Sequence, residues 1–223
     1  MKMNWVKTME QELQGVIQGR IHRWSFFVAV LVIGGLFGIL SKNITIGPSW
    51  ILLVIVVFLS VPLLLTVYLS QHVWTRILSL VMIGVLTLGL LSSVIFLVDS
   101  LFRHSENGLA LFRDAAVLWI SNVVMFGVWY WEIDQGGPIR RHIYKVQPKD
   151  FLFPQSTVEG DLWSKWKPSF VDYLFLAFNT STAFSPTDTL VMSRRAKVLM
   201  ITQSSISLVI LAVLAARAIN IIN

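Results

Sequence analysis

Apolar residues in this chain are gathered into long blocks and not spread as amphipathic stripes. Five of these blocks, at residues 24–40, 49–69, 77–102, 109–131 and 198–216, approach or exceed the length needed to cross a hydrocarbon core of ~30 Å at ~1.5 Å per helical residue. A sixth block, residues 170–179, reaches only about halfway. It is followed by the polar stretch TSTAFSPTD (180–188) and then by the last long block. The pattern predicts an all-α membrane protein with about five transmembrane helices and a short re-entrant segment. A backbone that turns round at that depth must be buried in protein or line a water-filled cavity.

Residues 1–23 are polar but put Trp5, Met9, Leu13, Ile17 and Ile21 on one helical face, with Lys2, Lys7, Arg20 and Arg23 interspersed. That spacing suits an amphipathic helix lying on the membrane surface; a solvated extension is the alternative. The chain then divides into a four-helix transmembrane region (24–131), a hydrophilic loop (132–168), and a re-entrant hairpin with the last helix (169–223). In the loop, Gly136, Gly137, Pro138, Pro148, Pro154 and Pro168 preclude a continuous helix, while Phe151, Phe153, Trp163 and Trp166 suit a membrane interface. Gly34 and Gly38 form a G-x-x-x-G spacing for close helix approach, and Pro62 predicts a kink in the second helix. The first block has a long leader containing acids and no small-residue cleavage pattern, so it reads as a retained anchor.

Composition agrees with the pattern. The 223 residues are 55% hydrophobic and 13% charged, about half the charge of a soluble domain. The net charge of +6 would suggest nucleic acid in a soluble protein. Here it follows from lysines and arginines collected on cytoplasmic loops, and no nucleic-acid-binding motif is present. With the N-terminus inside, only Lys42, Arg103, Arg113 and Arg217 of the 18 basic residues lie outside. A full crossing by the short segment would move Arg194, Arg195 and Lys197 outside. Charge therefore predicts a cytoplasmic N-terminus, an external C-terminus, and a short segment entering from the cytoplasm. Cysteine is absent, which excludes disulfides and thiolate sites, and none of the four histidines has an i,i+4 partner. No cofactor and no metal are implied.

Two constellations are candidates for function. The first is the hairpin: Ser169 and Asp172 read as a helix start, and Asp188 as a cap for the last helix. Between them, Thr180, Ser181, Thr182, Ser185, Thr187 and Asp188 gather oxygen atoms near the end of a half-helix whose partial negative charge favours a cation. Gln203 and Ser207 share a face of the last helix, either lining a wet path or bonding between helices. The second is the charged cluster Glu132, Asp134, Arg140 and Arg141, where the fourth block ends. Acids beside arginines at such a boundary are most simply solvated or ion-paired; a membrane enzyme would instead bring Glu132, Asp134 and Asp150 into one pocket. No catalytic triad or nucleotide-binding glycine loop appears, so no enzyme activity is expected.

The hairpin resembles the pore helix, filter and inner helix of tetrameric cation channels, with an acid near the helix start, a threonine-rich turn and a long following helix. It departs from potassium channels in having no glycine in residues 182–188, one residue more than T-V-G-Y-G-D, an internal proline and the opposite side of entry. A second resemblance rests on WYWEIDQGGP (129–138), DFLFPQ (150–155), FVDYLFLAFNTSTAFSPTD (170–188) and RRAKVLMITQSSISLVILAVLAARAIN (194–220). Together these strings resemble a bacterial family of small, uncharacterised integral membrane proteins. This resemblance implies a bacterial plasma (inner) membrane location and carries no activity. The expectation is a channel-like or permeation-related protein; the alternative is a non-conducting scaffold or accessory subunit. The partners expected are the lipid bilayer and further copies of the chain, not nucleic acid.

Overall fold

A computed structural model of the chain describes residues 24–69, 71–103, 108–143, 148–158, 163, 166–185 and 188–222. The surface helix expected at 1–23 and the candidate Thr187 lie outside the described residues. Every apolar block forms a helix: α1 (Trp24–Ile39), α2 (Ile51–Tyr68), α3 (His72–Arg103), α4 (Gly108–Ile133), α6 (Phe170–Thr182) and α7 (Arg194–Ile222), with the short α5 (Pro138–Ile143) after α4. Four of them, α2, α3, α4 and α7, are long and apolar enough to cross a membrane. The described part of α1 is shorter. Helix α6, at 13 residues, extends only ~20 Å.

Helix ends follow local chemistry more than block edges. Helix α3 starts five residues before its apolar block. There the Thr75 hydroxyl donates to the Gln71 carbonyl at 2.8 Å, and Arg76 Nη1 donates to Gly136 O at 2.5 Å, so these polar residues are used within the fold. Helix α2 runs unbroken through Pro62. Of the G-x-x-x-G pair, Gly34 lies against Leu53 of α2, whereas Gly38 faces open space.

Helix α4 is the centre of the bundle, packing on α3, α6 and α7. Half of its apolar span is buried, against about a tenth (11%) of α2, which lies at the periphery against α3. The α4–α3 contact includes a hydrogen bond from Trp129 Nε1 to the Thr87 hydroxyl at 2.9 Å. At the opening turns of α4, buried Asp114 accepts from the Ser41 amide at 3.3 Å and from Arg113 Nη2 at 3.1 Å. This joins the turn after α1 to the start of α4.

Helix α6 lies along α4 in steps of four residues. Phe170 meets the Trp131 ring at 6.0 Å, Leu174 lies against Gly127, and Phe178 meets Trp119 at 5.8 Å. Gly127 permits this approach: a Cβ there would sit 3.3 Å from the Leu174 Cα. After α6 the chain returns to the level where α6 began. Its strand β2 (Leu190–Val191) pairs antiparallel with β1 (Phe151–Leu152), and α7 starts beside it, so α6 and α7 run in the same direction.

Candidate functional site

The polar residues form two interior clusters, one at the C-terminal end of α4 and one partway along α7. The first is made by the way α4 stops. Gln135, Gly136 and Gly137 all have positive φ (52°, 80° and 98°), which ends the helix in a tight turn after Asp134. For two glycines this costs little; for Gln135 it costs on the order of 1 kcal/mol or more. The Gln135 amide is thereby aimed at Asp150 Oδ2, to which it donates at 3.1 Å.

Asp134 is fully buried and bonds two other segments. Its Oδ1 accepts from the Asp150 amide at 2.8 Å and the Phe151 amide at 3.3 Å, and its Oδ2 accepts from the Tyr173 hydroxyl at 2.6 Å. Asp150 in turn is held side-on by Arg195, with Nε and Nη2 each donating at 2.6 Å; Nη2 also reaches the Ile133 carbonyl at 3.2 Å. Burial alone would raise the Asp150 carboxyl pKa. The bonds from Arg195 and Ser193, the Arg195 charge and the Gln135 amide together hold it below the ordinary aspartate value. Arg141 closes the cluster: Nη1 donates to the carbonyls of Trp131 (2.7 Å) and Asp134 (2.9 Å), and its guanidinium lies 5.1 Å from the Tyr173 ring centre. The four distinctive sequence strings therefore meet at one point, each supplying a member: Asp134, Asp150, Tyr173 and Arg195.

This arrangement differs from a solvated pairing of Glu132 and Asp134 with Arg140 and Arg141. Glu132, Asp134 and Arg141 are buried, while Arg140 is exposed. The Asp134 carboxylate is satisfied by backbone amides and a tyrosine, because the tight turn folds the loop over it. Asp134 and Asp150 do adjoin, but their oxygens are taken up in bonds that hold the fold. Glu132 points toward Gly137, whose Cβ position would be 3.5 Å from Glu132 Oε2. Among the described residues, no group of three or more histidines and acids is placed to hold a metal ion.

The second cluster joins α4, α6 and α7. Gln203 Nε2 donates to the Ala177 carbonyl at 2.8 Å and the Ser181 hydroxyl at 2.7 Å, while its Oε1 accepts from the Tyr130 hydroxyl. Asn122 Nδ2 donates to the Ser207 hydroxyl at 2.8 Å and to the Gln203 carbonyl at 3.3 Å. Thr180, Ser181, Gln203 and Ser207 are all buried. Among these side chains only Asn122 Oδ1 is left without a donor. The Thr180 hydroxyl turns back to the Leu176 carbonyl at 2.8 Å, and that of Thr182 to Phe178 O at 2.9 Å.

The seven candidate oxygen-bearing residues that are described are thus divided. Thr180, Ser181, Gln203 and Ser207 face inward, whereas Thr182 at the end of α6 and Ser185 and Asp188 on the returning segment lie exposed. Asp188 lies well before α7 and does not cap it; Ser193 does, its hydroxyl accepting from the Ala196 amide at 3.2 Å. The expected start of α6 is present as a capping box, with Asp172 accepting from the Ser169 amide at 2.7 Å. Sequence reasoning did not single out Asn122, Tyr130 or Tyr173. The available signal was an asparagine and, eight residues later, a tyrosine on one face of an otherwise apolar helix. Comparisons with protein-family models, curated proteins and solved structures gave no match to this chain.

Proposed function

We propose that this chain is a non-conducting membrane scaffold or accessory subunit whose α6 hairpin is a re-entrant packing device. The four long apolar helices support membrane embedding, and the charge distribution supports a cytoplasmic N-terminus with the hairpin entering from that side. The observation that carries the scaffold reading is the bonding of Gln203. Both ends of its side chain are engaged by neighbouring helices, so the most polar side chain in the apolar stretch 198–216 of α7 works as a link and not as the wall of a wet path. The cluster at Asp134 and Asp150 works in the same sense, fixing the loop, the hairpin and the last helix to α4.

Ion flux in liposomes tests this. Purified protein should give no leak above empty vesicles, and Thr182→Ala or Asp188→Asn should change nothing. A wild-type flux that either substitution abolishes would overturn the scaffold reading in favour of a channel-like protein. One observation favours that second reading: Thr182, Ser185 and Asp188 are exposed, so a polar path lined by them would run between subunits and not through one.

A further inference from the structure

The end of the bundle where α4 stops and α6 and α7 begin sorts its charges by sign. Glu132, Asp134 and Asp150 are buried. Asp172 is taken up at the start of α6, accepting from the Ser169 amide and hydroxyl at 2.7 Å. By contrast, Arg140, Lys149, Lys167, Arg194 and Lys197 are exposed, and none forms an ion pair among the described residues. Of the described acids in this region only Asp188 is exposed. The carboxylates that could neutralise this surface are turned inward, so what faces out is positive.

Two of these bases stand directly over apolar surface. On α7, Arg194 and Lys197 each lie one turn, ~5.4 Å, before an exposed apolar residue on the same face: Val198, 60% exposed, and Ile201, 66% exposed. Helical side chains lean toward the N-terminus, so both bases lean away from this stripe toward the aqueous boundary. Lys149 is brought alongside, because the carbonyl of the next residue, Asp150, accepts from the Met192 amide at 2.9 Å. Leu190 and Met192 on the returning limb are exposed there as well.

We propose that this face is a seat for anionic phospholipid, with the phosphate at Arg194, Lys197 and Lys149 and an acyl chain along Val198 and Ile201. A soluble acidic partner would meet the bases but leave the apolar stripe uncovered; a phospholipid covers both. An anionic headgroup suits the seat better than a zwitterionic one, which brings an ammonium that unpaired bases repel. Each base near an anionic membrane surface contributes roughly fivefold to such binding. The seat adds a lipid preference to the scaffold reading and is the same whether or not the chain conducts.

The chain has no native cysteine, so a single fluorophore-labelled thiol can report its lipid neighbours. In phosphatidylcholine vesicles, labelled Ile201→Cys should be quenched severalfold more by chain-brominated phosphatidylglycerol than by brominated phosphatidylcholine at the same low mole fraction. Labelled Phe58→Cys, on the exposed face of α2, should be quenched equally by the two. Replacing Lys149, Arg194 and Lys197 together by glutamine should abolish the preference at Ile201→Cys while leaving helicity and quenching by phosphatidylcholine unchanged. Raising the salt concentration should weaken the preference with all three bases in place, a check that needs no further variant. Equal quenching by the two lipids at Ile201→Cys would overturn the proposal, as would a preference that survives both the triple substitution and salt. An equal preference at Phe58→Cys would overturn it too, since the enrichment would then belong to the whole surface. Absence of quenching by either lipid at Ile201→Cys would show that protein covers the stripe, with the same result.

Discussion

Replacing Gln203 with leucine is the sharpest test of how the hairpin is held. The substitution keeps a side chain of similar size but deletes two donated bonds, to Ala177 O and Ser181 Oγ, and the acceptor of the Tyr130 hydroxyl. Interhelical hydrogen bonds in membranes average about 0.6 kcal/mol and reach about 1.7, so three supply about 2 kcal/mol or more. The Tyr130 hydroxyl, buried and stripped of its acceptor, adds a penalty, which makes the expected loss roughly 2 to 4 kcal/mol. Tyr130→Phe deletes only one of the three bonds and should cost about 1 kcal/mol. Because the two residues share a bond, the double variant should be less destabilised than the sum by about 1 kcal/mol. The assay is equilibrium unfolding in bicelles, followed by helicity or by steric trapping. If Gln203 instead faced water, solvent would replace its partners. Gln203→Leu would then fall within about 0.5 kcal/mol of wild type and show no coupling to Tyr130, a result that would refute the interior placement.

Three further outcomes are expected. Tyr173→Phe removes the hydroxyl that donates to Asp134 Oδ2 and should lower unfolding stability by about 1 to 3 kcal/mol; an unchanged value would remove Asp134 from the hairpin's support. Gly127→Val places branched carbons where a single Cβ already meets Leu174 Cα at 3.3 Å, and should cost about 1 to 3 kcal/mol in the same assay, with Gly127→Ala intermediate. Asp150 has a folded pKa below the ordinary 3.8, so its stabilisation is complete above the unfolded value and is lost as pH falls through the folded one. The stability gap between wild type and Asp150→Asn should therefore be constant above about pH 5 and shrink below about pH 4; a gap that grew on acidification would contradict the bonding to Arg195.

Much of the helical architecture was legible because length and apolarity are local properties. The Ser169–Asp172 start of α6 was legible for the same reason: a capping box involves residues three apart. What escaped the sequence reading depends on distance in the chain. Nothing near Asp134 announces that Tyr173, 39 residues on, will donate to it, or that Asp150 will offer both its amide and a carboxylate for Arg195. The charged cluster looked like a solvated boundary because acids and arginines were adjacent in sequence; the positive φ values at 135–137 turned Asp134 inward instead. Asp188 was an acceptable cap by residue type, but the β2 pairing carries the chain further before α7 begins, leaving that task to Ser193. The candidate hydroxyls of residues 180–187 are close together in sequence. Their division between interior and surface required the path of α6 along α4.

The small ladder between β1 and β2 has a mechanical consequence. Phe151 and Leu152 sit in the hydrophilic loop, Leu190 and Val191 on the returning limb, and the Met192 amide extends the link to the Asp150 carbonyl at 2.9 Å. The loop is thus a lever fastened to the hairpin. Loop and returning limb are therefore tied at three consecutive residues, so displacing one displaces the other without first straining the long helices.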